Sequence, residues 1–273
     1  MLGATVIVFR EVLEAGLIIG IVLAATRGLP GRGRWVALGV LAGLAGAGVV
    51  ALFAETISNA FEGSGQELLN ASVLGVAVLM LMWHNAWMAR HGREMAAEMK
   101  ALGADVTAGT RPLTVLAVVI GLAVLREGAE IVLFLYGIAA TGTTGAALFF
   151  GGLLGLAAGA VLTALTYFGL LALPTRHVFT VTTLLIALLA AGMAAQAVQF
   201  LYAAGWVEVL SNQMWDSSGL LPQDSLIGRL LHTLIGYTDR PTELQVIAYV
   251  TTLVAMAALI RIAAPPRTAR VTA

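Results

Sequence analysis

Residues 2–25 form an apolar run that nevertheless contains Arg10, Glu11 and Glu14, and few folds tolerate that combination. Placing an ionised side chain near the centre of a bilayer costs roughly 2.5–3.5 kcal/mol even on the most lenient scale, so such residues are functional candidates by default. The stretch Phe9–Gly16 (FREVLEAG) has a counterpart in Leu125–Val132 (LREGAEIV). There Arg126, Glu127 and Glu130 repeat the spacing 116 positions later, inside a second apolar run. A duplicated charged cluster of this kind points to a membrane fold whose two halves bring the copies face to face.

Alternating apolar runs and breaks give about seven spans, near 2–25, 34–54, 68–89, 113–139, 146–173, 178–203 and 243–262. Each has the ~20 residues needed to cross a ~30 Å hydrocarbon core. With 59% hydrophobic and 11% charged residues and a mean hydropathy of +0.93, the chain has too little polar surface for a soluble domain. The expected class is an all-α integral membrane protein. A signal peptide is disfavoured for the first span, because no basic stretch precedes it and three charges lie within it. Apart from Arg10 and Arg126, eleven of the other thirteen basic residues fall on one side if the N-terminus is outside, so the positive-inside rule predicts N-out and C-in.

Three spans separate each cluster from the matching point of the other half, so the copies run in opposite directions. Gly39 and Gly43 recur as Gly155 and Gly159 at the same shift, both as small-xxx-small pairs that serve either internal packing or self-association into a homo-oligomer. The expected organisation is a 3+3 inverted repeat plus one C-terminal helix. Its parts are a first three-helix repeat (1–92), a cytoplasmic linker (93–111), a second repeat (112–204), an outer segment (205–242) and a seventh helix with tail (243–273). Within the outer segment, Leu226, Ile227, Leu230, Leu231, Leu234 and Ile235 form an apolar stripe, as in a helix lying along the membrane surface. Architectures of this kind hold their substrate near the midplane, at the repeat interface.

On a helix, Glu11 and Glu14 share one face, and Arg10 stands four residues before Glu14, where it can brace that carboxylate. The second half repeats this with Glu127, Glu130 and Arg126. Four carboxylates and two guanidiniums leave a formal charge of −2, which a divalent cation would cancel. Part of the set is expected to hold protons until an ion arrives, so ion binding releases protons and weakens at acid pH. Carboxylate oxygens suit iron, manganese, magnesium or calcium and disfavour copper(I). With no cysteine there is no disulfide, thiolate site or cysteine nucleophile. No H-E-x-x-H or phosphate-binding loop occurs, and the histidines at 84, 91, 177 and 232 are scattered, so no enzyme is expected. The zero net charge gives no reason to expect a nucleic-acid partner.

These residues carry a resemblance. Arg10-Glu11-Val12-Leu13-Glu14 and Arg126-Glu127-Gly128-Ala129-Glu130 are similar to the paired R-E-x-x-E motifs of the oxidase-dependent iron permease family, which includes fungal high-affinity and bacterial Efe-type iron permeases. Met214–Ser218 and Gly236-Tyr237 are similar to a late outer segment of that family. The resemblance implies import of iron across the plasma (inner) membrane, with the motif glutamates as iron ligands and iron as substrate; no permanently bound cofactor is expected. It also implies an extracytoplasmic iron oxidase or iron-delivery protein, here expected as a separate polypeptide. The competing expectation is a transporter or channel for another cation, such as lead, manganese or a proton-coupled divalent ion.

Further pathway candidates are weaker. Glu55, Glu62 and Glu67 form either an outer collecting site or a solvated acidic loop. Trp83, His84, Asn85 and Trp87 are expected to end the third span on the cytoplasmic side, with His84 receiving the ion on exit or belonging to an interfacial anchor. Gln196 and Gln199 either touch the pathway or bond a neighbouring helix, and Asp216 with Trp215 is a candidate for the outer mouth.

Overall fold

In a computed structural model, which describes residues 1–60, 66–169 and 175–263, the regular elements are helices: α1 (Leu2–Ala25), α2 (Arg32–Ala60), α3 (Gln66–Thr107), α4 (Thr114–Ala140), α5 (Gly145–Tyr167), α6 (Thr175–Ala203), α7 (Leu226–Ile235) and α8 (Glu243–Ala263). Five stretches among the described residues are long and apolar enough to cross a membrane: 32–54 in α2, 66–92 in α3, all of α5, 178–203 in α6, and α8. The two motif helices, α1 and α4, are 24 and 27 residues long and each carry three charged residues. The surface inverts that of a soluble protein. Leu41, Leu52 and Phe53 on α2, Phe149 and Phe150 on α5, and Val254 on α8 are exposed, as side chains facing lipid would be.

The core forms where α1, α3, α4 and α6 meet, around Ile7, Leu74, Leu81, Phe134, Ile138, Ile186 and Met193. A second cluster joins Val22 and Val36 to Leu116, Ile120 and Val124. Met80 and Met82 pack against the first cluster, as expected of filler side chains. Segment 93–111 is more regular than its polarity suggests, because α3 continues unbroken to Thr107. There the threonine hydroxyl donates to the Gly103 carbonyl at 2.8 Å.

Small residues set the closest helix contacts. Along α2, Gly39 lies against Ala117 and Gly43 against Gly121, so α2 and α4 run in the same direction. Along α5, Gly151 meets Met1 and Ala4, Gly155 meets Thr5, and Gly159 meets Phe9 and Val12, so α5 runs parallel to α1. Both glycine stripes therefore serve packing within the chain. The contacts pair them one helical turn away from the 116-residue match: Gly39 and Gly43 use the partners that correspond to those of Gly151 and Gly155. The turn between α4 and α5 (141–144) is also two residues shorter than that between α1 and α2 (26–31). A Cβ at Gly43 would fall 2.7 Å from the Gly121 carbonyl oxygen and 2.7 Å from Val124 Cβ, whereas one at Gly48 would meet nothing within 4 Å. Gly43→Leu is accordingly expected to cost about 1–3 kcal/mol or more by overpacking, with Gly48→Ala near neutral; thermal unfolding in detergent compares them.

The segment after α6 folds back over the bundle. Ser225 caps α7, its hydroxyl accepting from Gly228 N–H at 2.9 Å, and Gly236 ends the helix at φ 69°, in the left-handed region that glycine favours. Gly236 also abuts Gly192 of α6 closely enough that a side chain on either would collide with the other's backbone. An isolated bridge, Gln213 to Thr242, ties the loop to the start of α8.

Candidate metal site

Helical spacing carries the first half of the site. Arg10 and Glu14 are one turn apart on α1, and Arg10 Nε lies 2.8 Å from Glu14 Oε1 with both side chains 2% exposed. Glu11 is fully buried. On α4, Arg126 Nε donates to Glu130 Oε1 at 3.1 Å and lies 3.9 Å from Glu127 Oε1. The halves differ at their arginines. Arg10 is sealed in the core, whereas Arg126 is 38% exposed at its side chain and its guanidinium sits 4.1 Å from the Trp87 ring centroid. Trp87 in turn stacks on His91, with ring centroids 5.0 Å apart.

The third contributor is α3. His84 is 3% exposed, with Nε2 3.4 Å from Glu14 Oε2 and 3.8 Å from Glu11 Oε2, while Nδ1 contacts Glu130 Oε2. One ligand atom each from Glu11, His84, Glu127 and Glu130 lies within 4.8 Å of the others, a spacing that a single metal ion could bridge. The structure thus corrects the expected place of His84, which lies in the buried centre and not at an interfacial end of the span. Its neighbour Asn85 is also buried. Trp83 is 73% exposed and faces away from the bundle.

Polar atoms left without hydrogen bonds concentrate at this place. Among the described residues they include both carboxylate oxygens of Glu11, Glu127 Oε2 and both amide atoms of Asn85. A buried polar atom without a partner is costly, so a cluster of them calls for a compensating group. Carboxylates with one imidazole fit iron or another hard-to-borderline cation.

The remaining sequence candidates scatter. Glu55 lies on α2, with its side chain outside the described set; Glu62 lies outside the described residues; Glu67 is exposed in the first turn of α3. Gln199 is exposed. Asp216 sits in an exposed turn, accepting from Ser218 N–H at 2.9 Å beside Arg240 at 3.1 Å, and these partners hold its carboxyl below the usual range. Gln196 alone reaches a cavity. Its amide nitrogen lies 2.8 Å from His232 Nε2, and both line a space of about 420 Å³ with Met1, Thr141, Gln223 and Asp224. Along α1 and α4, the fully buried Ile7 and Phe134 fall between that cavity and the carboxylates.

The family model described as the iron permease FTR1 family matches residues 1–266. Among curated proteins, the chain is 32% identical over 265 residues to the ferrous iron permease EfeU of Shigella sonnei, covering 96% of this chain and 95% of that one. The same identity and coverage hold for the EfeU protein of Escherichia coli O157:H7, and the Yersinia pestis protein is 29% identical with 96% and 93% covered. No solved structure matches.

Proposed function

The chain belongs to the iron permease FTR1 family, and from that premise we propose that ferrous iron crosses the membrane through the carboxylate cluster at the contact of α1, α3 and α4. It is an iron permease and a multi-pass membrane protein, not an enzyme. The observation that carries the site is the gathering of Glu11, Glu127 and Glu130, with buried and unsatisfied oxygens, around one point. Four glutamates and two arginines sum to a formal −2 when all are ionised, which favours the divalent ion. The curated relatives are likewise named ferrous iron permeases.

The reading continues outward. All of α1 to α6 and α8 span the membrane, seven in total, with the N-terminus outside and the C-terminus in the cytoplasm of a bacterial-type plasma membrane. Residues 1–92 and 112–204 act as inverted repeats. Support comes from the matched contacts α2 with α4 and α1 with α5, each parallel, as exchange of two inverted halves requires. The cavity beside Gln196 and His232 is then the outer vestibule, and Ile7 with Phe134 is the apolar plug that must part before an ion passes. An extracytoplasmic protein delivers the iron to that vestibule.

The test is uptake of iron(II) into proteoliposomes under reducing conditions. Ions bind ionised carboxylates, so protons compete for the same oxygens. Uptake is expected to fall as the outer pH drops from neutral toward the carboxylate range. A rate independent of pH, or equal in protein-free vesicles, contradicts the proposal.

A further inference from the structure

We infer that His84 is itself an iron ligand, taking the place that motif symmetry assigns to Glu14, and that its nitrogen biases the site toward iron and against calcium and magnesium. This rests on the reading that the ion sits among the carboxylates of Glu11, Glu127 and Glu130. The motif spacing predicts four equivalent glutamates, yet Glu14 is withdrawn from the set. The mutually close ligand atoms belong to Glu11, His84, Glu127 and Glu130, so Glu14 is left out although Arg10 holds it much as Arg126 holds Glu130. His84 arrives from a helix that carries no copy of the motif.

Its ring is flanked on both sides. Nδ1 contacts Glu130, and Nε2 lies 3.4 Å from Glu14. A histidine that binds a metal through one nitrogen almost always gives its other N–H to a carboxylate or carbonyl, which fixes the tautomer and the ring angle. Here a carboxylate stands opposite either nitrogen. Arg10 then acts two steps back, orienting Glu14, which orients the imidazole. The chemical consequence is selectivity. An all-oxygen set suits magnesium, calcium and manganese, whereas imidazole suits iron and its heavier neighbours. One nitrogen among carboxylates lets iron(II) compete against the far more abundant alkaline-earth ions without a thiolate, which a chain lacking cysteine cannot supply.

The alternative role is electrostatic: a protonated His84 would merely offset the surrounding negative charge and could not ligate. X-ray absorption at the iron edge on purified protein loaded with iron(II) under anaerobic conditions separates the two. The inference expects the outer-shell scattering of a coordinated imidazole in the wild-type protein. The scattering should persist in H91Q/H177Q/H232Q, which retains only this histidine, and vanish in His84→Gln. His84→Gln should also weaken iron binding about tenfold to a hundredfold and let excess calcium displace the iron. Iron bound with an all-oxygen shell that still depends on Glu11 and Glu127 overturns the inference and spares the carboxylate site. Iron binding unaffected by Glu11→Gln and Glu127→Gln overturns both. Should His84→Gln fail to fold, the spectra of the wild type and the triple variant decide alone.

Discussion

Glu11→Gln is expected to reduce iron transport by about a hundredfold or more while the protein still folds and inserts. The substitution keeps the shape of a fully buried side chain and removes one negative charge from a site that must cancel a dication. Losing a charged partner in such surroundings costs several kcal/mol, and each ~1.4 kcal/mol is tenfold in an equilibrium constant. Stability should not suffer, because an uncompensated buried charge disappears. Parallel measurements of thermal unfolding and iron(II) uptake separate the two effects. Normal uptake by Glu11→Gln and by Glu130→Gln would end the idea that the motif carboxylates hold the ion.

Arg10→Met is expected to show the opposite pattern, a loss of stability of about 3–5 kcal/mol, because it strands Glu14 in the core without its cation. The double replacement R10M/E14L removes both charges and should recover most of that loss, which thermal unfolding in detergent would reveal. Transport should stay impaired in the double variant, since Glu14 then no longer holds the Nε2 side of His84. Arg10→Lys keeps the charge but not the planar fork, so its effect should be milder than that of losing Glu11. Equal instability in the single and double variants would mean that the pair contributes packing alone. The same substitution at Arg126 should be tolerated better, because that side chain is 38% exposed against 2% for Arg10.

Much of the site could be read from the residues. The carboxylates at 11, 127 and 130 announce themselves because charge inside an apolar run is expensive, and because the second copy repeats the first. The helix bounds of α1 and α4 and the apolar stripe of α7 followed from length and periodicity. His84 was misplaced because two tryptophans and a run of polar residues suggested the end of a span. The contrary signal was present: Leu74, Ala77, Val78 and Leu81 recur at helical spacing and lead to His84 and Asn85, on the face that the structure buries. The withdrawal of Glu14 and the one-turn slip of the glycine contacts were not legible. Both depend on how two helices meet, and no local pattern records that. Gln199, Glu67 and Asp216 show the converse, polar residues in suggestive places that the fold leaves at the surface.

Anomalous diffraction at the iron absorption edge, on crystals soaked with iron(II) under anaerobic conditions, bears most directly on the central claim. One peak is predicted between α1, α3 and α4, within coordination distance of Glu11, Glu127, Glu130 and His84. Iron seated elsewhere in the protein, with those side chains carrying no peak at saturating metal, would contradict it.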